Sequence, residues 1–239
     1  MLAQDTYRSS STVPTRLVCL DMNGTTVEDD GLVLECFGEA LASQGIAPGS
    51  AAHQTMLSFV EQTMGSSRLE VFKRLFGAAP GPALAANRVF ERGYASAASG
   101  GRVRAVDGAV DVLLRLRDEG VHVALTTGFS RQTQNQILDL LGWTGLVDLS
   151  LCPDDAGRGA PYPDMVLTAL LALDLDDVRA VMTVGDSRAA VLAGRRAGAG
   201  ANIGVLTGPH GEADLLEAGA DVVVPSVRAV PGVLASHAA

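Results

Sequence analysis

The stretch RLVCLDMNGTTV, residues 16–27, constrains this chain more than any other. Leu17, Val18, Cys19 and Leu20 form a continuous apolar run, the pattern of a strand buried on both faces of a parallel sheet. The run stops at Asp21, and a Gly24-Thr25-Thr26 turn follows. Open α/β sheets bind ligands in the crevice outside the carboxyl ends of their strands, so a carboxylate there is a candidate for chemistry. The competing reading is a turn cap, because Asp near Gly is common loop punctuation. The segment taken alone leaves both open.

The order of the segments downstream favours chemistry. Helical spacing at Leu32, Cys36, Phe37, Ala40 and Leu41 is stopped by Gly45 and by Pro48-Gly49-Ser50. Three more helices are predicted at 51–63, 66–76 and 82–98, with no strand between them. About 70 residues of helix inserted between the first strand and the next strand-like run read as a helical cap. From there the pattern alternates: helix 107–119, strand 121–126, helix 131–141, strand 146–151, helix 164–173, strand 179–184 and helix 188–197. Shorter strands at 201–205 and 221–224 complete it. Alternating units of this length imply right-handed crossovers and a parallel sheet. The expected class is therefore α/β, with a Rossmann-like core at 16–30 and 101–239, a helical cap at 31–100 and a flexible polar arm at 1–15.

Two later strands also end in polar groups, at Thr126-Thr127-Gly128 and Gly185-Asp186-Ser187, and a third runs into Pro153-Asp154-Asp155. Each Asp or Thr singly is a common N-cap. A parallel sheet would nevertheless bring these ends beside Asp21, and their joint placement is hard to reach by chance.

Composition narrows the partners. A net charge of −9 opposes nucleic acid, which needs a basic face. No apolar run approaches the ~20 residues that span a bilayer. Cys19, Cys36 and Cys152 are odd in number and widely spaced, which suits reduced thiols in a cytoplasmic protein, and no CxxC or paired His spacing points to zinc. The first residues lack a hydrophobic signal core. A homodimer is left open.

With these segments in place the sequence resembles the haloacid dehalogenase superfamily, and within it the phosphonatase-like hydrolases. The resemblance rests on DMNGTTVEDDGLV at 21–33, ALTTGFSRQT at 124–133, LGW at 141–143, PYPDM at 161–165, GDSRAAVLAGRRAGA at 185–199 and GVLTGPH at 204–210. It implies a cap of the C1 type, Asp21 as nucleophile forming a covalent aspartyl intermediate, and Thr127 with the Gly128 N–H binding phosphoryl oxygens. It also implies Mg²⁺ held by Asp21, Asp186 and the carbonyl of Asn23. The physical logic is general: a carboxylate can approach an anionic phosphoryl group only if the repulsion is offset, and covalent capture divides one hard displacement into two.

Four departures bear on that reading. Position 23 is Asp in most phosphatases of the superfamily and Ala in the phosphonatase branch; here it is Asn, which exchanges no proton near pH 7. Where phosphonatases carry an imine-forming cap lysine, this chain has Arg68, which stays protonated and would instead clamp a substrate anion or, on the plainer reading, sit as a solvated helix charge. The basic residue expected before Pro-x-Pro is Ala160, leaving Arg158 as a substitute or as a surface loop charge. Position 190, usually acidic, is Ala. His53, His122, His210 and His237 share no relay or metal spacing.

The expected function is a Mg²⁺-dependent hydrolase of a small phosphorylated metabolite, with catalytic Asp21, Asn23, Thr127, Gly128 and Arg158, and Arg68 on the substrate. The alternatives are a catalytically weakened relative that binds a phosphorylated ligand or partner, and a hydrolase of carbon–phosphorus or carbon–halogen bonds.

Overall fold

The structure, a computed structural model, describes residues 13–77 and 80–237, so most of the arm expected at 1–15 lies outside the described residues. The first strand, β1 (Leu17–Asp21), leads into a two-residue strand β2 (Val27–Glu28) and then four helices: α1 (Leu32–Ser43), α2 (Ala51–Gln62), α3 (Arg68–Phe76) and α4 (Pro80–Ala97). A π-helical turn at Ala98–Arg102 returns the chain through β3 (Arg104–Ala105). Alternation follows through α5 (Ala109–Asp118), β4 (His122–Thr126), α6 (Arg131–Leu140), β5 (Leu149–Leu151), α7 (Pro153–Ala156) and α8 (Asp164–Ala172). The chain ends with β6 (Val181–Gly185), α9 (Arg188–Ala197), β7 (Ala201–Val205), α10 (Glu212–Ala218), β8 (Val222–Val224) and α11 (Val230–His237).

The main sheet is parallel, in the order β5-β4-β1-β6-β7-β8. β1 lies in the middle, with Asp21 in register with Thr126 of β4 and Leu20 with Val184 of β6. The continuous apolar run is explained by this position. Val18 and Leu20 enter one hydrophobic cluster while Leu17 and Cys19 enter another on the opposite face, as the two-residue period of a strand requires. All three cysteines are free and buried, and burial pushes the Cys19 thiol up to about 12.

Three of the four inserted helices, α1, α3 and α4, share an aromatic centre. The rings of Phe37 and Phe72 are 4.7 Å apart, those of Phe37 and Phe90 4.8 Å, and Tyr94 meets Phe129 of the β4–α6 turn at 4.5 Å. The insertion is thereby packed onto the end of β4.

The structure differs from the sequence reading at several boundaries. β2 and β3 pair antiparallel, Val27 with Ala105 and Glu28 with Arg104, so the strands entering and leaving the insertion are bonded to each other. Two residues are too few to display strand alternation. β5 is shorter than the expected 146–151 because the Leu146 N–H closes a turn onto the Trp143 carbonyl at 2.9 Å. α10 and α11 span two turns each, too short for a helical period to stand out.

Candidate active site

Asp21 ends β1, where the pleat stops pairing and the chain must turn. The N–H of Met22 donates to Asp21 Oδ1 at 3.0 Å. Gly24 adopts φ 82, the left-handed region that glycine enters without penalty, and a Cβ there would collide with the carboxylate of Asp186. A Cβ at Gly208 would meet the same carboxylate. Thr207 Oγ1 donates to the Gly24 carbonyl at 2.5 Å, holding the loop after β7 against the turn after β1. Glycine at both positions lets two backbones close around Asp186.

Asp186 follows β6, is 3% exposed, and accepts from Thr25 Oγ1 at 3.1 Å. Its side chain is within hydrogen-bonding reach of Asp21. Burial raises the pKa of both carboxyls, to about 6 for Asp186 and well above the usual carboxylate range for Asp21. For Asp21 the neighbouring Asp186 charge adds to the rise, while the Arg68 guanidinium and the Met22 N–H oppose it. Two acids this close and this dry do not both ionise readily without a cation.

The Asp21 cavity has a volume of about 320 Å³. Thr127, Gly128, Asn23, Asp186 and Arg68 line it with Asp21. Thr127 is 1% exposed and its Oγ1 accepts from the Phe129 N–H at 3.3 Å, which leaves the hydroxyl proton free to donate. A Cβ at Gly128 would come within 2.5 Å of the Ser66 carbonyl, so only glycine admits the turn before α3 at this point.

Among the described residues, Arg68 is the sole cationic one lining this cavity. It is 4% exposed, unlike the solvated helix charge that was the plainer expectation. Its backbone N–H donates to the Gly128 carbonyl at 3.1 Å, Nη1 donates to the Ser66 carbonyl at 2.8 Å, and its guanidinium carbon lies 4.7 Å from the centre of the Phe129 ring. Nε has no partner. Burial lowers its pKa, against the opposing pull of Asp21.

The structure does not bring Arg158 to Asp21. Its exposed side chain makes a bidentate pair with Asp164 at 2.8 and 2.9 Å and lies over Tyr162, 4.2 Å from the ring centre. It lines a larger neighbouring cavity of about 490 Å³ that shares Arg68 and Gly128 but not Asp21. Ala160 and Ala190 instead wall a hollow of about 20 Å³ beside Asp21, which has no cationic lining among the described residues. Asp154 and Asp155 also face elsewhere. Asp155 accepts from the Cys152 N–H at 2.7 Å at the start of α7 and pairs with Arg131, and Asp154 accepts from the Arg131 N–H at 3.3 Å. None of His53, His122 and His210 lines the Asp21 cavity, and the side chain of His237 lies outside the described residues.

Sequence reasoning missed Asp29, Tyr94, Thr25 and Phe129. Asn23 Nδ2 donates to Asp29 Oδ2 at 2.7 Å and to Tyr94 Oη at 2.9 Å. Tyr94 is 71 positions away on α4, and a helical sequence pattern marks it only as core. It also missed that Lys73, the only lysine in the chain, is exposed and paired with Glu70 at 2.6 Å.

A parallel sheet with an inserted helical layer, and paired acids at the ends of adjacent central strands, define a Rossmann-like α/β core that carries an acidic site. The chain belongs to the haloacid dehalogenase-like hydrolase family, whose description matches residues 15–198. It is 34% identical over 94 residues to the phosphonoacetaldehyde hydrolase of Pseudomonas fluorescens strain SBW25, a match covering 39% of this chain and 34% of that relative. The chain thus matches about a third of that relative's length. Among solved structures, a hydrolase from Pseudomonas syringae superposes with a TM-score of 0.81 at 21% identity, covering 93% of this chain and 99% of the other. A haloacid dehalogenase family hydrolase from Deinococcus radiodurans R1, solved with bound phosphate and sodium, superposes with a TM-score of 0.66 at 25% identity, covering 94% and 97%. No described helix is long and apolar enough to cross a membrane.

Proposed function

We propose that the protein hydrolyses a small phosphorylated metabolite, with Asp21 as the attacking carboxylate. The observation that carries this reading is the pairing of Asp21 with Asp186 in a cavity lined by the guanidinium of Arg68. Phosphate bound in the similar Deinococcus radiodurans hydrolase supports it.

The donors fit Mg²⁺. That ion takes hard oxygen ligands, and characteristically uses one or two carboxylates together with waters and substrate phosphate rather than a full protein cage. Asp21 and Asp186 supply two carboxylates, and no cluster of three or more acidic, His or Cys side chains suited to a metal occurs among the described residues. Asp21, Asp186 and the main-chain carbonyl of Asn23 would hold the ion. When bound it would offset the negative charge of the two acids and of the phosphoryl group.

The chain's own residues do the rest. Asp21 attacks phosphorus in line with the leaving oxygen, and the Thr127 hydroxyl with the Gly128 N–H receive the phosphoryl oxygens. Arg68 supplies a fixed guanidinium fork to the substrate anion. Residues 31–100 serve as the cap over the core of 16–30 and 101–239, excluding water and selecting substrate. The absence of an amine at position 68, with Lys73 exposed and outside the cavity lining, favours cleavage of a phosphate ester over imine-assisted cleavage of a phosphonate.

Phosphate release from a panel of phosphate monoesters, with and without Mg²⁺, tests the reading. Asp21→Asn is expected to abolish turnover, since the amide is a poor nucleophile; release that survives this substitution removes Asp21 from its role.

A further inference from the structure

The amide of Asn23 is fully committed on one side. One Nδ2 proton goes to Asp29 Oδ2 at 2.7 Å and the other to Tyr94 Oη at 2.9 Å, while the Tyr94 hydroxyl itself donates to Asp29 Oδ2 at 3.0 Å. A side-chain amide has two donor protons, so this triangle uses both. Turning the amide over would set its oxygen against the Asp29 carboxylate. The orientation is therefore fixed, and Asn23 Oδ1, buried and without a hydrogen-bond partner, is the group left over in a residue that lines the Asp21 cavity. A buried acceptor without a donor is costly, and a donor reaching it would remove that cost.

Asp29 is singled out from its neighbours. Arg104 takes Glu28 at 2.5 Å and Asp30 through two bonds of 2.8 and 2.9 Å, both at the surface. Asp29, between them, turns inward to Asn23 and Tyr94. Tyr94 is fully buried on α4 and stacks on Phe90, so its hydroxyl has little freedom.

We infer that Asp29 and Tyr94 are positioning residues that aim Asn23 Oδ1 at the water which releases phosphate from Asp21. The inference rests on the hydrolase reading above. In this step the water oxygen bonds to phosphorus, and the P–O bond to Asp21 breaks with its electron pair left on the carboxylate. Both water protons stay with the departing phosphate as dihydrogen phosphate, so the balance requires no side-chain base. That suits an amide, which cannot accept a proton near neutrality but can accept a hydrogen bond and so orient the water. Because Asp29 directly follows β2, at the entry to the insertion, and Tyr94 lies within it, the aim of the amide depends on the insertion being seated on the sheet.

Rapid-quench and steady-state kinetics on Asp29→Asn and Tyr94→Phe, with p-nitrophenyl phosphate and Mg²⁺, test this. Asn at position 29 can donate to Asn23 and so permits the amide to turn over; Phe at position 94 removes one corner of the triangle. Slower water attack should make kcat fall about tenfold, the scale of one lost positioning hydrogen bond. KM should fall with it, a burst of p-nitrophenol should approach one equivalent, and radiolabelled phosphoenzyme should accumulate. A merely structural role would lower kcat/KM together with kcat and give no burst, and that result in both variants overturns the inference. Should Asp29→Asn fail to fold by thermal denaturation, Tyr94→Phe reads the same quantity with one hydroxyl removed. If the unmodified protein yields neither phosphate nor phosphoenzyme, the hydrolase reading falls and the inference with it; an active protein whose variants show no burst sinks the inference alone.

Discussion

Arg68 lies over the face of Phe129, with its guanidinium carbon 4.7 Å from the ring centre. The contact joins the first residue of α3 to the turn after β4, and the same arginine donates through its backbone to Gly128 in that turn. The cation of the Asp21 cavity is thus supplied by the insertion, while the acids it faces are supplied by the sheet.

Removing that cation should be costly. Arg68→Ala is expected to lower kcat/KM for a phosphate monoester by about 10²-fold, within the range for losing a charged donor to a developing oxyanion. Arg158→Ala should change it by less than about threefold, because an exposed ion pair with Asp164 contributes little. Arg68→Lys offers a separate readout. It would place an amine beside Asp21, so borohydride should trap an aldehyde at position 68 of that variant, where the unmodified protein has no amine to trap it.

The acid pair makes metal-free stability depend on pH. Asp186 has a folded-state pKa of about 6 against 3.8 for an unperturbed Asp. The folded protein therefore binds a proton before the unfolded chain does, and this contribution to stability is complete below about 3.8 and lost as pH rises through about 6. Carboxylates held low by arginine partners, such as Asp30 and Asp107, act in the opposite direction, so the comparison must be internal. Asp186→Asn should raise the melting temperature of the metal-free protein at pH 8, with the gain vanishing toward pH 4. It should also abolish stabilisation by added Mg²⁺. Thermal scans in chelator and in Mg²⁺ measure both.

The aromatic centre of the insertion should set how firmly it stays on the sheet. Phe90 is fully buried and its ring lies 4.8, 6.0 and 6.1 Å from those of Phe37, Tyr94 and Phe129. Phe90→Ala should destabilise the protein by about 3–5 kcal/mol, the usual cost of a large core cavity. Urea denaturation checks this. A loss under about 1 kcal/mol would mean the cluster collapses around the gap.

Much of the scaffold was legible in the chain. The unbroken apolar run before Asp21 required a strand covered on both faces, and β1 lies at the middle of the sheet with its side chains divided between two clusters. The alternation of helix and strand required parallel crossovers, which carried Asp186 and Thr127 to the same edge as Asp21. Periods of two and 3.6 residues are local properties, so a linear reading recovers them.

Other features depend on separations that no local period encodes. Arg68 and Arg158 read alike as charges near motif residues; burial over Phe129 distinguishes the first, and the Asp164 fork turns the second outward. The roles of Asp29 and Tyr94 emerge only when α4 is laid across the start of the insertion, because one buried hydroxyl then bonds to both Asn23 and Asp29. Local sequence settles which elements form and which face of each is apolar. The direction in which a polar side chain points within a shared cavity is settled by packing, since the energy of an unpaired buried group depends on neighbours contributed from the rest of the chain.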